Sequence, residues 1–487
     1  MALPGFSTTI SDGGLRIRQT LGGERVLILG ATDNTVLELN EPAVVQDVVL
    51  AMQAARNTTG TETDLSLALA DALRGGAQFV EICKVSTQSG SADYYATGYT
   101  PSDRYTALSG AYSALAGHDT TIVIPAGAYA EEVPGDTLYA LGETHLTGVF
   151  YTGGTHAAAN FALQLAQYAY DQTTDFRSTV GVISVKPPML APIVGGATGA
   201  ATGTAGATFG TPSRTAVANW VSYLTAGTGL PVSTPWLNYM SGSTAAYATT
   251  YFPTWQANAT KGVPGSGSST DDLSNPVDLG AYITVFAAPV RTSGANTVKM
   301  ATEFGASTSS LNFNTDGAAS YAGQISSLSP HSATTNKIVP GLVASRALTN
   351  TQAETLRDKR LVGMLQKSKG FVVVEDVTGA YYVDKFTKSD FHRLSTVRIT
   401  HNAVNGIRDA GEQFIGEGVN AALLNALHQS VEGVLRAMQL AGALRRFSFQ
   451  IVATPDQQSL GEATILLELI PAFELTNVTV GVRLAKE

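Results

Sequence analysis

The chain has 487 residues, a formal net charge of −9 and only 14% charged side chains, where an ordinary soluble domain carries roughly 25%. Its 44% hydrophobic content excludes a disordered chain, the lack of an apolar run of about 18 residues excludes a membrane-spanning helix, and the acidic balance without a basic block argues against direct contact with nucleic acid. Cys83 is the single cysteine, which rules out an intramolecular disulfide and a cysteine metal centre.

The opening Met1-Ala2-Leu3-Pro4-Gly5 lacks a basic stretch followed by an apolar one, so no signal peptide is expected. Residues 1–23 read as an extended arm: Phe6 to Ile10 is strand-like, Asp12-Gly13-Gly14 is turn chemistry, and Leu15-Arg16-Ile17-Arg18 alternates with period two. Arg25–Gly30 is the first core strand, followed by an amphipathic stretch from Ala43 to Ala54, a helix over Asp64–Leu73 and a strand over Gln78–Ile82. Helix then strand recurs, with Arg104–Leu115 before Thr121–Ile124 and Ala157–Tyr170 before Thr179–Val185. This alternation predicts an α/β layer with a largely parallel sheet.

Gly195–Pro212 is nearly all Gly, Ala and Thr, and Gly265–Ser269 and Gly305–Ser320 are also poor in large apolar residues. With Ala281–Val290 as its one clear strand, this middle region reads as a loop-rich, surface-facing insertion. Further on, Thr351–Gln366 is expected as helix, Phe371–Val374 as a buried strand and Phe391–Val404 as helix. Asn420–Gly442 carries Leu423, Leu427, Val431, Val434, Met438 and Ala441 on one helical stripe. Strands Phe447–Val452 and Ala463–Ile470 flank a loop at Asp456–Gly461, and the chain ends in a strand with Val478, Val480, Val482 and Leu484 alternating with Thr479, Gly481 and Arg483. Both ends are thus strand-like without an obvious local partner.

Catalytic chemistry is hard to find. No G-x-x-x-x-G-K or G-x-G-x-x-G occurs, and Gly30-Ala31-Thr32 after the first strand lacks the later glycines of a dinucleotide turn. There is no G-x-S-x-G, and Gly210-Thr211-Pro212-Ser213 only echoes the serine motif of subtilases. The histidines at 118, 145, 156, 331, 392, 401 and 428 include no pair four apart and no H-E-x-x-H. His118-Asp119 reads as a loop pair before a strand, His428 as half-buried packing, Glu131-Glu132 and Asp271-Asp272 as solvated acids, and Cys83 as a small buried residue. No catalytic, cofactor or metal residue is assigned.

The last 140 residues carry a family likeness. Its elements are Lys369-Gly370-Phe371-Val372-Val373-Val374, Phe386, Arg393-Leu394, Phe414-Ile415-Gly416-Glu417 between two helices, Gly442-Ala443-Leu444, Phe449-Gln450-Ile451, and a strand ending at Pro471 with Glu474. With Pro4-Gly5 opening the arm, the chain resembles the tail sheath proteins of contractile bacteriophages. Val374-Glu375-Asp376-Val377-Thr378 stands where that family often has Trp-Gly-Arg-Thr, and its Asn-rich helix entry is reduced to Asn420.

The resemblance implies an α/β protein, mixed α+β in its C-terminal core, in which the N- and C-terminal segments form one core domain around inserted α/β domains. The expected division is an arm at 1–23, core at 24–95, outward-facing variable domains at 96–345, core again at 346–472, and an arm strand at 473–487. It implies a structural, non-enzymatic subunit that needs no cofactor and polymerises with itself around an inner tail tube. Further partners would be the tail tube protein, the baseplate and the tail terminator, with no membrane insertion. The implied place is the virion tail, assembled in the host bacterial cytoplasm, where contraction drives DNA ejection and genome delivery. The arm residues Ile10, Leu15, Ile17, Val478, Val480 and Val482 are expected to add to neighbours' sheets, and Arg357, Lys359, Arg360 and Arg436 are candidate tube-facing charges. Two other readings stay open: the sheath of a phage-derived bacteriocin or injection machine, and a soluble α/β hydrolase with a non-motif triad.

Overall fold

A seven-residue run, Arg-Val-Leu-Ile-Leu-Gly-Ala, buries Val26 to Leu29 completely, which requires a strand covered on both faces. The computed structural model describes residues 24–60, 62–87, 101–130, 161–175, 177–185, 218, 221, 279–288, 290–292, 317–344, 347–358, 360–380 and 390–473. The expectations for the two arms, for Gly195–Pro212 and Gly265–Ser269, and for Glu131-Glu132, Ser213 and Asp271-Asp272 lie outside these residues.

The chain begins with β1 (Arg25–Ala31), β2 (Pro42–Val44), α1 (Val48–Ala55), α2 (Asp64–Gly75), β3 (Phe79–Ser86), α3 (Pro101–Ala114) and β4 (Ile122–Pro125). There follow α4 (Phe161–Thr174), β5 (Val180–Ser184), β6 (Ile283–Phe286), β7 (Val290–Thr292), α5 (Ala318–Ser327), β8 (Leu342–Ala344) and α6 (Asn350–Asp358). The C-terminal part holds β9 (Met364–Lys367), β10 (Gly370–Val373), α7 (Leu394–Glu412), α8 (Ala421–Leu440), β11 (Leu444–Val452), α9 (Pro455–Leu460) and β12 (Thr464–Pro471).

Six strands form the central sheet in the order β2-β3-β1-β4-β5-β6, all parallel except β2, which runs antiparallel to β3. Period-two alternation sorts each strand between two cores. Leu27, Leu29, Cys83, Val123, Ile183 and Val285 face one core, closed by α3 and α4 through Leu108, Tyr112, Phe161 and Leu165. Val26, Ile28, Ile82, Ile124, Val182 and Phe286 face the other, closed by α2 and α5 through Leu65, Leu69, Tyr321 and Ile325. The mixed α/β expectation thus takes the form of a three-layer body.

Helices α2 and α5 touch through backbone. A Cβ on Gly323 would lie 2.2 Å from the Ala72 carbonyl oxygen, and one on Gly75 would lie 2.2 Å from that of Ser320. Only glycine permits this approach. Helix α2 is fixed at its start by a reciprocal cap, with Thr63 Oγ1 accepting from Ser66 N–H at 3.1 Å and Ser66 Oγ accepting from Thr63 N–H at 2.8 Å.

Helix α7 joins the body to a third cluster. Leu394 and Val397 belong to the second core, Val404 to the first, and Ile399, Ala403 and Ile407 to a separate cluster with α8 and the β11–β12 hairpin.

Several expectations are corrected. Strands β4, β5 and β6 and helix α5 all fall within 96–345, yet share the sheet and cores of β1 and β3; the described part of the middle region is therefore central, and the sheet does not divide at 95/96. The stretch 43–54 is a short edge strand followed by α1. Ala281–Val290 splits, because Val290 N–H bonds back to the Ala288 carbonyl at 2.9 Å and turns the chain into β7. The helix expected to reach Gln366 stops at Asp358, Arg360 adopts φ 64°, and Val362 N–H instead reaches the Val285 carbonyl at 2.8 Å. Burial of Leu361 and Val362 at the β6 edge outweighs helix continuation. The Asp456–Gly461 loop holds the short helix α9, closed by a Thr454–Gln457 capping box and by Gly461 at φ 74°.

Candidate interaction surface

Leu444–Val452 and Thr464–Pro471 pair antiparallel from Leu444↔Pro471 to Val452↔Thr464, with an irregularity between Leu444 and Arg446. Alternation gives the hairpin two unlike faces. Phe447, Phe449 and Ile451 oppose Leu469, Leu467 and Ile465 and pack on α7 and α8 over Val431, Leu435 and Met438. Arg446, Ser448 and Gln450, with Glu468 and Leu466, face outward and are exposed apart from the half-buried Ile470 beside them. The outward face is polar, as in Ser448 Oγ donating to Glu468 Oε2 at 2.7 Å.

Among the described residues no third strand pairs with either β11 or β12. Both outer edges therefore present backbone donors and acceptors without a strand partner, the situation that invites an added strand. Beyond β12, Ala472 N–H bonds to the Ala443 carbonyl at 2.9 Å, and the exposed Phe473 ring lies 5.8 Å under the Arg393 guanidinium.

The other end of the described chain is anchored internally. Glu24 N–H bonds to the Ser326 carbonyl at 3.3 Å, while its Oε1 accepts from Arg398 Nε at 2.9 Å. Arg398 is 4% exposed and also donates through Nη2 to the carbonyls of Ile325 at 3.0 Å and Leu328 at 2.6 Å. These residues border a cavity of about 550 Å³ lined in part by His331, His401, Met438 and Ala443. Burial pushes the His401 pKa down to about 3, with the Arg398 charge adding to the effect, so the ring is held neutral.

Of the candidate tube-facing charges, Arg357 pairs with Asp358 at 2.8 Å and Glu375 at 3.6 Å, and Arg360 follows three residues later, two past the end of α6. Arg436 stands on α8 with its own partner Glu432 at 2.7 Å. The structure brings Arg357 and Arg360 near each other in the chain but places Arg436 on a different element. Lys359, Ile10, Leu15, Ile17, Val478, Val480 and Val482 lie outside the described residues.

The residues weighed for chemistry take other roles. His118 Nε2 meets Glu81 Oε2 at 2.6 Å across the sheet, with Arg25 3.9 Å from the same carboxylate. His428 is exposed, not half-buried, and rests its ring 4.6 Å from that of Phe449. Cys83 is fully buried, and burial pushes its thiol up to about 12, far from the thiolate a nucleophile requires. At the end of β1, Leu65 packs against Gly30, where a Cβ would be 2.8 Å from Leu65 Cβ. Arg104 Nη1 donates to the Gly127 carbonyl at 2.6 Å beyond β4. Both contacts lie beyond the carboxyl ends of β1 and β4, the side of the sheet on which doubly wound folds hold a ligand. Among the described residues there is no group of three metal-ligating side chains and no helix long and apolar enough to cross a membrane.

Sequence reasoning did not single out Glu24, Arg398 or the serine-rich turn at 326–329.

No protein-family model and no curated protein matches the chain. Solved structures do match it over essentially its whole length. A chain of the anti-feeding prophage (AFP) baseplate in the contracted state is similar with a TM-score of 0.56, 14% identity and 99% of both chains covered. A chain of the 6-fold symmetrised AFP baseplate gives 0.52 at 10% identity, covering 100% of both. One from the PVC sheath complex of an extracellular contractile injection system, also contracted, gives 0.51 at 11% identity, covering 99% of this chain and 98% of that one. The fold of the chain is therefore one found in contractile injection machines.

Proposed function

We propose that the chain is a structural subunit that polymerises with copies of itself into a contractile sheath around an inner tube. The observation that carries this reading is the β11–β12 hairpin, whose two outer edges have no strand partner among the described residues, in a chain whose fold matches that of a sheath-complex chain from end to end. Strand-like segments at 1–23 and 474–487 are the natural donors: added to a neighbour's hairpin, they would satisfy its edge amides and carbonyls while Ile10, Leu15, Ile17, Val478, Val480 and Val482 alternate into its pockets. A head-to-tail exchange of this kind does not close on itself and builds a helical array. Scarce charge suits the same role, since charged side chains are depleted at the cores of subunit interfaces.

The partners of such a subunit are itself, a tube protein, and the baseplate and terminator proteins at the two ends. Arg357, Lys359, Arg360 and Arg436 are the proposed tube-facing charges. Sheath stacking stores energy in an extended lattice and releases it as new interfaces form, so no hydrolysis is required of the subunit. A bacteriophage tail and an injection machine share this mechanism. The full-length likeness in fold to AFP and PVC chains supports the sheath reading in either machine.

The test is electron microscopy of the purified chain beside a variant lacking residues 1–20. Striated tubes from the full chain and dispersed, folded monomers from the shortened one are expected. Tubes from both would remove the arm, and monomers from both would remove the polymer.

A further inference from the structure

Six of the large apolar side chains exposed among the described residues crowd into residues 36–50: Val36, Leu39, Val44, Val48, Val49 and Leu50. Val36 is 72% exposed, Val49 65% and Leu50 63%. The segment is ordered by its own bonds. Asp47 caps α1 by accepting from Val49 N–H at 2.8 Å and Leu50 N–H at 3.2 Å. Asn34 Nδ2 ties the preceding loop to the Gln53 and Arg56 carbonyls at 3.0 and 3.2 Å. Ala54 and Ala55 turn inward, with Ala51 and Met52 packed beside them on the core, so the first turn of α1 overhangs the sheet edge with three apolar side chains in water. Strand β2 below it pairs only with β3 among the described residues. Within this apolar patch Glu38 and Glu41 are exposed, and neither has an ion-pair partner among the described residues. An apolar patch with a charged rim marks a docking surface.

A complementary feature leaves the opposite edge of the sheet. Val362 pairs alongside β6, and β9 starts two residues later, leading into the tight turn to β10. Lys367 and Lys369 stand exposed on that turn. Their ammonium groups reach only neutral oxygens, Lys367 the Asn336 side chain at 3.2 Å and Lys369 the Asn336 carbonyl. Ile338, 47% exposed, pairs with Val372 beside them.

We propose that the acidic-rimmed apolar patch at 36–50 of one copy docks the lysine turn of a second copy, Glu38 and Glu41 facing Lys367 and Lys369 while Ile338 meets the apolar ground around α1. The inference rests on the polymer reading above and names one of its contacts. The occupant follows from complementarity: two acids and two bases, each beside exposed apolar surface, that form no ion pair with one another within one copy. The strands that lead to the two patches, β2 and β6, are the opposite edges of the six-stranded sheet, roughly 24 Å apart at about 4.8 Å per strand. A contact of unlike patches propagates head to tail.

The test is a charge swap read by the critical concentration for polymer formation, with melting of the unassembled chain as the folding control. Lys367→Glu with Lys369→Glu, and separately Glu38→Lys with Glu41→Lys, are each expected to raise the critical concentration by about tenfold or more, because like charges then face each other. The chain carrying all four changes is expected to recover to within about threefold of the wild type, since opposite charges again meet. Reversals that polymerise like the wild type, or a four-fold variant no better than its parents, overturn the contact while leaving the polymer reading intact. A wild-type chain that stays monomeric at every concentration overturns both.

Discussion

Arg398, sunk in the second turn of α7, holds Glu24 at 2.9 Å across 374 positions of sequence. Glu24 is the residue that follows the N-terminal arm expected from the sequence, and its own N–H is fixed to Ser326. A pull on that arm would therefore enter the body through a buried guanidinium held by two further carbonyls. Removing one partner of a buried pair leaves an uncompensated charge, at a cost of roughly 3–5 kcal/mol. Arg398→Ala, which also loses both carbonyl contacts, is expected at the upper end of that range in denaturant unfolding of the unassembled chain. Glu24→Gln, which keeps an acceptor, is expected to cost about 1–2 kcal/mol.

The backbone contact between α2 and α5 makes a sharp contrast among glycines. In Gly323→Ala the new methyl meets the Ala72 carbonyl oxygen at 2.2 Å, and neither helix backbone can yield without disturbing the second core. A loss of about 1–3 kcal/mol is expected, as for other overpacked cores. Gly433, in the interior of α8, has nothing within 4 Å of its added Cβ, and Gly433→Ala is expected to gain about 0.5–1 kcal/mol from helix propensity alone. Melting of the two variants should move in opposite directions.

His401 links stability to pH. Its folded-state pKa lies at about 3, below the ordinary 6.5, because burial disfavours the charged ring. The unfolded chain therefore takes up a proton that the folded chain refuses. The contribution of neutral His401 is complete above about pH 6.5 and is lost progressively as pH falls toward about 3. In His401→Gln the fall in unfolding midpoint between pH 6.5 and 4 is expected to be shallower than in the wild type, measured side by side in urea.

The third cluster, built from α7, α8 and the hairpin, shares no buried residue with the two cores of the body. Phe449→Ala, which removes a half-buried ring from the inner face of β11, is expected to speed hydrogen exchange in β11 and β12 while leaving β1, β3 and β4 protected. Exchange rates that rise equally in the body would show that the two regions open together.

The central strands were legible because residues buried on both faces read as unbroken apolar runs, as in Arg25–Gly30 and Thr179–Val185. The long helix α8 was legible from its apolar stripe, and the structure adds the Asn420 cap at its start. Helix α5 was not, since apart from Tyr321 and Ile325 its buried residues are small or polar, where hydropathy carries little signal. The end of α6 was hidden for a related reason: Arg360 adopts a left-handed conformation without the glycine that usually announces one. Strands β11 and β12 were read within three residues of their ends. That their outer edges lack a partner is a property of three-dimensional pairing, and so is the bond between Glu24 and Arg398.

The path of α7 has a mechanical consequence. From Leu394 in the second core to Ile407 in the hairpin cluster the helix advances about 20 Å at 1.5 Å per residue. A helix held along one face by the sheet body, at Leu394, Val397 and Val404, and along another by the α8 cluster, at Ile399, Ala403 and Ile407, cannot turn against one without dragging the other. Torque applied at the β11–β12 edges would reach the sheet as rigid rotation rather than as bending. Shape change in an assembly of such subunits would then be concentrated in the connections between bodies, with each body turning as a single gear tooth.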